Sequence, residues 1–239
     1  MAHCRIFVDS DLHEHERLII PDDQTHYLRQ VMRQKNGDQI TVFNGRGGEY
    51  TASIEDGTRQ NCSCMLDSFH DISRELSLPV HIIQSANRSE KIDVVLQKGT
   101  ELGAASFCIT ESERSALRLS GAKLEKRLQR WKKIIIEAAE QSGRTSVPDI
   151  FWQSSLQSLP QRGLCFALHP SEVTTWQCQR QNITEASEIS LAIGPEGGWS
   201  PAELINLTAI GFQPMQFGGR ILRTETAAPA LLAAIQAIL

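Results

Sequence analysis

The hydrophobic rhythm of the chain changes near residue 76, and that change restricts the fold more than any other feature. Before it, apolar and polar residues alternate over short runs: Arg5-Ile6-Phe7-Val8, Gln39 to Phe43, Glu49 to Ile54, and Cys62 to Phe69. A period of two is the pattern of a half-buried strand. Asn44-Gly45, with Gly47-Gly48 close behind, stands between the second and third runs and predicts a hairpin. One helix is expected from Gln24 to Met32, with Asp22-Asp23 as cap candidates and Tyr27, Leu28 and Val31 as its apolar face. Residues 1–72 therefore predict a small β-barrel with one helix.

From residue 73 to 239 strands and helices take turns. Strands are expected at Leu78–Gln84, Phe107–Ile109, Gly163–His169, Ile189–Gly194 and Met215–Phe217. Helices are expected at Glu90–Leu102, at Lys123–Ser142, from Pro201, and at Ala227–Leu239. The long helix has an apolar stripe of Leu124, Leu128, Trp131, Ile135 and Ala138, stepping by four and three, and Gly143 stops it. This alternation implies an α/β domain with a mainly parallel sheet covered on both faces. The final helix has almost no polar face, so it must be buried in a core or in a subunit interface, with Pro229 in its first turn.

Composition excludes several classes. Hydrophobic residues make up 41%, enough for a core, and no apolar run reaches the ~18 residues of a membrane span. Met1-Ala2-His3-Cys4-Arg5 lacks the apolar stretch of a secretory signal, so the expected location is the cytoplasm, with no membrane partner. The six cysteines form no C-x-x-C pair and are expected to be reduced and non-catalytic. His13-Glu14-His15 could suggest a metal, but it sits in an acidic, exposed-looking stretch, and none is expected. The net charge of −4 speaks against nucleic acid, but the distribution is uneven. Residues 114–133 carry eight basic side chains against one acidic, a local +7. Alone, such a stretch is more often a solvated helix face than a nucleic-acid contact.

Ligands of open α/β sheets bind beyond the carboxyl ends of the strands. Three strand ends carry unusual residues: Leu168-His169-Pro170, then Gly194-Pro195-Glu196-Gly197-Gly198, then Phe217-Gly218-Gly219-Arg220-Ile221-Leu222-Arg223-Thr224-Glu225-Thr226. The second is neither a P-loop nor a dinucleotide fingerprint, and Glu196 would repel a phosphate. Its glycines either make a tight turn or let the backbone approach an uncharged ligand such as adenine. In the third, Arg220, Arg223 and Glu225 crowd a turn before an apolar helix, as a structural ion pair or as functional groups.

The string IGPEGG, followed about twenty residues later by GGRILRTETA, resembles the RsmE family of ribosomal RNA methyltransferases of the SPOUT superfamily. Leu168-His169-Pro170, Glu111 to Arg114, Glu140 to Arg144, Gln97 to Gly103 and Arg5 to Val8 match it too, in order along the chain. The resemblance implies a C-terminal SPOUT domain with a deep trefoil knot, an N-terminal PUA-like RNA-binding barrel, and a homodimer. It implies S-adenosyl-L-methionine-dependent methylation of N3 of one uridine in the decoding region of 16S ribosomal RNA, as free RNA or assembled small subunit. The donor would lie against Leu168 to Pro170, Gly194 to Gly198, and Phe217, Gly218 and Ile221 to Thr226.

Uracil N3 must lose a proton before it can attack, so an arginine that stabilises the uridine anion is the first catalytic requirement. Arg223 is the first candidate, with Arg114 and Arg144 in reserve; Glu225 either takes the proton or orients Arg223 or the donor. Phosphate contacts are expected from Arg5, Arg46, Arg114, Lys123, Lys126, Arg127, Arg130 and Arg144. The rival readings are a transfer-RNA ribose methyltransferase of the same superfamily and an RNA-binding module without catalysis.

Overall fold

A computed structural model describes residues 4–57, 62–170 and 174–239. The chain divides into two compact units, Met1–Glu75 with Ala139–Val147, and Leu76–Ala138 with Pro148–Leu239.

The first unit holds β1 (Arg5–Phe7), β2 (Arg17–Ile20), a short helix α1 (Asp22–His26), β3 (Gln39–Phe43), β4 (Glu49–Gly57) and β5 (Cys62–His70). The strand order is β1-β3-β4-β5-β2, with β1 and β3 parallel and the other pairs antiparallel. Inward residues of all five strands, among them Ile6, Ile20, Val42, Ile54 and Leu66, form one buried cluster. The hairpin expected at Asn44-Gly45 is the β3–β4 pair, but its loop runs to Gly48, and Arg46 in that loop bridges to Ser146. The expected helix over Gln24 to Met32 is instead α1 followed by a wide π-type turn, Tyr27–Val31. Met32 N donates to Tyr27 O and Gln34 N to Leu28 O, five and six residues back. Widening the turn changes which side chains share a face, so Leu28 is fully buried while Val31 is 60% exposed.

A buried ion network explains why Ala139–Val147, expected in the second unit, packs with the first. Arg5 and Arg74 both bond the Glu49 carboxylate, and Arg144 bonds that of Glu75. Arg5 also donates to Arg144 O at 2.8 Å, and Arg74 to Gly143 O at 2.9 Å. Glu140 Oε1 accepts from Phe7 N and from Gln24. Burial alone would raise the Glu49 pKa; hydrogen bonds from Arg74 and Arg5, and their charges, outweigh it and hold that carboxyl below its ordinary value. A depressed carboxylate stabilises the fold fully above the unfolded pKa of about 4.5 and loses that contribution as pH falls through its lower folded value. Glu49→Gln is therefore expected to melt several degrees below wild type at neutral pH. The gap should close on acidification below about pH 4. A gap that stays constant down to pH 3, measured by thermal denaturation, contradicts this linkage.

The second unit alternates β6 (Val80–Ser85), α2 (Ser89–Glu101), β7 (Ser106–Thr110), α3 (Gly121–Ser142), β8 (Asp149–Gln153), β9 (Leu164–Leu168), α4 (Trp176–Glu185), β10 (Ile189–Ile193), α5 (Pro201–Ala209), β11 (Gln213–Met215) and α6 (Thr224–Gln236). The last turn of α3 belongs to the first unit. All ladders are parallel, in the order β11-β9-β10-β6-β7-β8. β6, β7 and β10 are buried at every residue, as a sheet covered on both faces requires. The chain builds from β6 outward to β8, then crosses to the other side for β9, β10 and β11, so the direction of winding reverses beside β6. Such a reversal opens a crevice at the carboxyl ends of the strands.

Two further elements appear, and the start of one helix moves. β8 and α4 were not expected; Asp149–Gln153 and Trp176–Glu185 are short and mixed in polarity. The last helix starts at Thr224, three residues early, which places Pro229 in its interior rather than its first turn. Ala228, Leu231, Leu232 and Ile235 of α6 are buried within this chain, so its apolar character already has a core to serve. Among the described residues no helix is long and apolar enough to cross a membrane.

Candidate active site

A cavity of about 680 Å³ lies at the carboxyl ends of β9, β10 and β11. Its walls are the three strand ends singled out in the sequence: Leu168 to Pro170, Gly194 to Gly198, and Phe217 with Ile221 to Thr224. Arg114 also lines it. Gly218, Glu225 and Thr226, expected at the donor, are not wall residues. Glu225 faces the rim through an ion pair, and Thr226 is exposed on the first turn of α6.

Each wall is held by identifiable bonds. Thr224 Oγ1, at the start of α6, donates to Gly194 O at 2.8 Å and accepts from Gln84 and Asn87, each at 2.9 Å. One hydroxyl thus uses its donor and both acceptors to join the ends of β6 and β10 to α6. The glycine loop leads into α5 through a capping box: Ser200 Oγ accepts from Glu203 N, and Glu203 Oε2 accepts from Ser200 N. The second oxygen of Glu203 accepts from Glu113 N at 2.7 Å, which fixes the segment after β7. The neighbouring Arg114 donates to Gly197 O at 2.5 Å and thereby enters the pocket. Phe217 packs edge-on against Trp176 at 5.7 Å.

The glycines are needed for close approach. A Cβ on Gly194 would stand 3.3 Å from the backbone nitrogen and indole of Trp199, and one on Gly197 would stand 3.0 Å from Arg114 Cδ. The pocket wall is consequently backbone at these points, suited to a ligand that bonds peptide groups.

Arg223 caps α6 and is exposed at the pocket, with Arg220 beside it; among the described residues neither has an ion-pair partner. Lys91, which sequence reasoning missed, reaches in from α2 and pairs with Glu196 at 3.1 Å and Glu225 at 3.3 Å. Its pKa is raised, first by the carboxylate of Glu196 and then, against desolvation by burial, by that of Glu225. A single lysine on an amphipathic helix gives no signal of its own. Trp199 was also missed; it is buried and lines the pocket.

The remaining expected residues are placed elsewhere. Arg144 is 5% exposed, bonded to Glu75, and Arg5 is tied to Glu49 in the same network. Neither guanidinium faces solvent, because ordering Ala139–Val147 against the first unit consumes both. Arg46 pairs with Asp11 on the surface. On α3, Arg127 bonds Ser89 and Arg130 pairs with Asp93 at 2.6 Å, tying α3 to α2, while Lys123 and Lys126 are exposed and have no ion-pair partner among the described residues. All six thiols are free and five are buried; burial pushes Cys64 and Cys108 up to about 12 and Cys4 up to about 11, far from reactive thiolates. Among the described residues no group of three His, Cys, Asp or Glu side chains could hold a metal ion.

A wholly parallel sheet with a glycine-rich pocket at the carboxyl ends of its strands defines a ligand-binding α/β domain, here preceded by a small β domain. Residues 74–236 match the family of the RNA methyltransferase domain, and residues 20–64 that of the RNA methyltransferase PUA domain. The chain is 33% identical to the ribosomal RNA small subunit methyltransferase E of Bacillus subtilis, over 90% of this chain and 88% of that one. Its structure is similar to a putative methyltransferase from Legionella pneumophila in complex with the bound cofactor SAM, at TM-score 0.92 and 32% identity, covering 99% and 98% of the two chains. It is similar also to a ribosomal RNA small subunit methyltransferase E from Neisseria gonorrhoeae bound to S-adenosyl methionine, at TM-score 0.89 and 30% identity, covering 98% and 97%. The chain belongs to the ribosomal RNA small subunit methyltransferase E family of RNA methyltransferases.

Proposed function

We propose that this protein binds S-adenosyl-L-methionine in the pocket of the second unit and methylates N3 of one uridine in the decoding region of 16S ribosomal RNA. The observation that carries the reading is the pocket itself: backbone walls at Gly194 and Gly197 beside two unpaired arginines, Arg220 and Arg223. Its volume suits a ligand of nucleoside size. No phosphate-binding loop is present in the sequence, so an uncharged adenosine is favoured over a nucleotide. When bound, the donor supplies an electrophilic methyl group on a sulfonium.

The protein's own part is to place the uracil and to stabilise the anion left when its N3 proton passes to solvent. Arg223 stands where it can stabilise the anion that forms at N3 and O4, lowering the cost of losing the proton. Glu225 is held by Lys91, which favours an orienting role over that of proton acceptor. Arg114, anchored at Gly197, is the second cation able to reach the reacting base. The target uridine must be unstacked before its Watson–Crick edge is accessible. Lys123 and Lys126, free on α3, are the residues we assign to phosphates on this unit. Charge reversal at both is expected to raise KM for RNA and flatten its salt dependence without changing donor affinity. Unchanged RNA kinetics would reduce the basic helix to a solvated face.

A homodimer and a cytoplasmic site of action fit the family. So does a threaded C-terminal segment, with Thr224 accepting from Gln84 and Asn87 and donating to Gly194 O. The deciding experiment is reverse transcription of 16S RNA. A methyl on N3 blocks pairing, so wild-type RNA should stop the polymerase at one decoding-region uridine, and RNA from cells lacking this protein should read through. A stop that persists in the deletion strain overturns the assignment.

A further inference from the structure

We propose that Lys91 is a positioning residue of the donor pocket, its ammonium clamping the Gly194–Gly198 loop to the first turn of α6. The inference deepens the donor-site reading above and rests on it.

The carboxylates of Glu196 and Glu225 come from two different elements, the loop after β10, which walls the pocket, and the first turn of α6. Both reach the same nitrogen, at 3.1 and 3.3 Å. Among the described residues neither carboxylate has another cation as partner. Without Lys91 two like charges would face one another across the joint between loop and helix, and the loop would move away from α6. Thr224 bonds Gly194 at the inner end of that joint, and Lys91 closes its outer end. The two contacts together fix the register between the loop that walls the pocket and the turn that carries Arg223.

The three side chains keep partial access to water: Lys91 is 26% exposed, Glu196 39% and Glu225 17%. Pairs this open add little to global stability. Their worth lies in geometry, because a small displacement of a binding wall is felt strongly by the ligand it orients. Lys91 is in addition the cation that keeps Glu225 from swinging toward Arg223, which leaves that arginine free for the uridine.

The test uses the full-length protein as wild type, Lys91→Met, Lys91→Arg, Glu196→Gln/Glu225→Gln, and the triple variant. S-adenosylmethionine is titrated calorimetrically onto each, and amide hydrogen exchange is followed without donor. Lys91→Met is expected to bind the donor about tenfold more weakly, with KM for RNA and the melting temperature near wild type. Amides of Gly198, Thr226 and Ala227, bonded to Pro195 O and Arg223 O, should exchange faster in it, donor absent. Lys91→Arg should recover affinity to within about threefold, and in the Glu196→Gln/Glu225→Gln background Lys91→Met should change it by less than about twofold. Unchanged affinity and exchange in Lys91→Met, an equal loss in the double-glutamine background, or no recovery with arginine overturns the clamp. A folded wild type that takes up no donor overturns the donor reading instead, while faster exchange in Lys91→Met would still show the clamp.

Discussion

Arg223→Ala should lower turnover about 10²–10³-fold at saturating donor and RNA, the cost of removing one electrostatic donor from a developing anion. The side chain caps α6 from an exposed position and holds no ion pair among the described residues, so the fold does not depend on it. Its loss should appear in kcat rather than in the melting temperature. Lysine at this position should restore part of the rate, since it keeps the charge but not the planar fork of donors. Cysteine variants are the contrast. Cys178→Ser and Cys165→Ala should remain near wild type, because N3 methylation forms no covalent adduct with the enzyme, and the Cys165 thiol is raised by burial above its ordinary range. Single-turnover assays on small subunits measure both. Full activity in Arg223→Ala would overturn the mechanism.

Thr224→Val should be the most damaging small change in stability. It keeps the volume of threonine and removes only the hydroxyl, yet that oxygen serves Gly194 O, Gln84 and Asn87. Thr224 is 6% exposed, so water cannot replace the lost partners. An unsatisfied buried group costs about 1–3 kcal/mol. Three such groups predict a loss of about 3 kcal/mol or more, a fall of roughly 6–12 °C in Tm for a chain of this size. Donor affinity should fall with it, since Gly194 walls the pocket. Thr224→Ser keeps the hydroxyl and should stay close to wild type. Denaturation scans of the two variants decide the matter, and a valine variant as stable as the serine one would show that the node carries no load.

The periodicities were legible because they are local. Alternation over Gln39–Phe43 and Glu49–Ile54 became β3 and β4, and the four-and-three stripe on Lys123–Ser142 became α3 with Trp131, Ile135 and Ala138 buried. Pro201 marked the start of α5 because proline's preference for the first helical position is local; the capping box of Ser200 with Glu203 came with the structure. The pocket walls were legible for the same reason: each is a contiguous motif at a strand end. Short or mixed segments such as β8 and α4 carry too few residues for a period to emerge, and their form comes from the sheet and core they join.

What the sequence determined by itself was the class of each half, the absence of a phosphate loop, and the three motifs that wall the pocket. Tertiary structure alone decided which charges are free. Arg5, Arg144, Arg127 and Arg130 read as RNA contacts, yet Glu49, Glu75, Ser89 and Asp93 hold them. The partners lie 37 to 69 residues away along the chain, beyond any local pattern. Lys91 shows the converse: an unremarkable lysine on α2 becomes a pocket residue because folding brings Glu196 and Glu225 to it. An arginine's pairing depends on which carboxylate the fold sets within about 3 Å, and Coulomb attraction at that range outweighs anything its neighbours in sequence can impose.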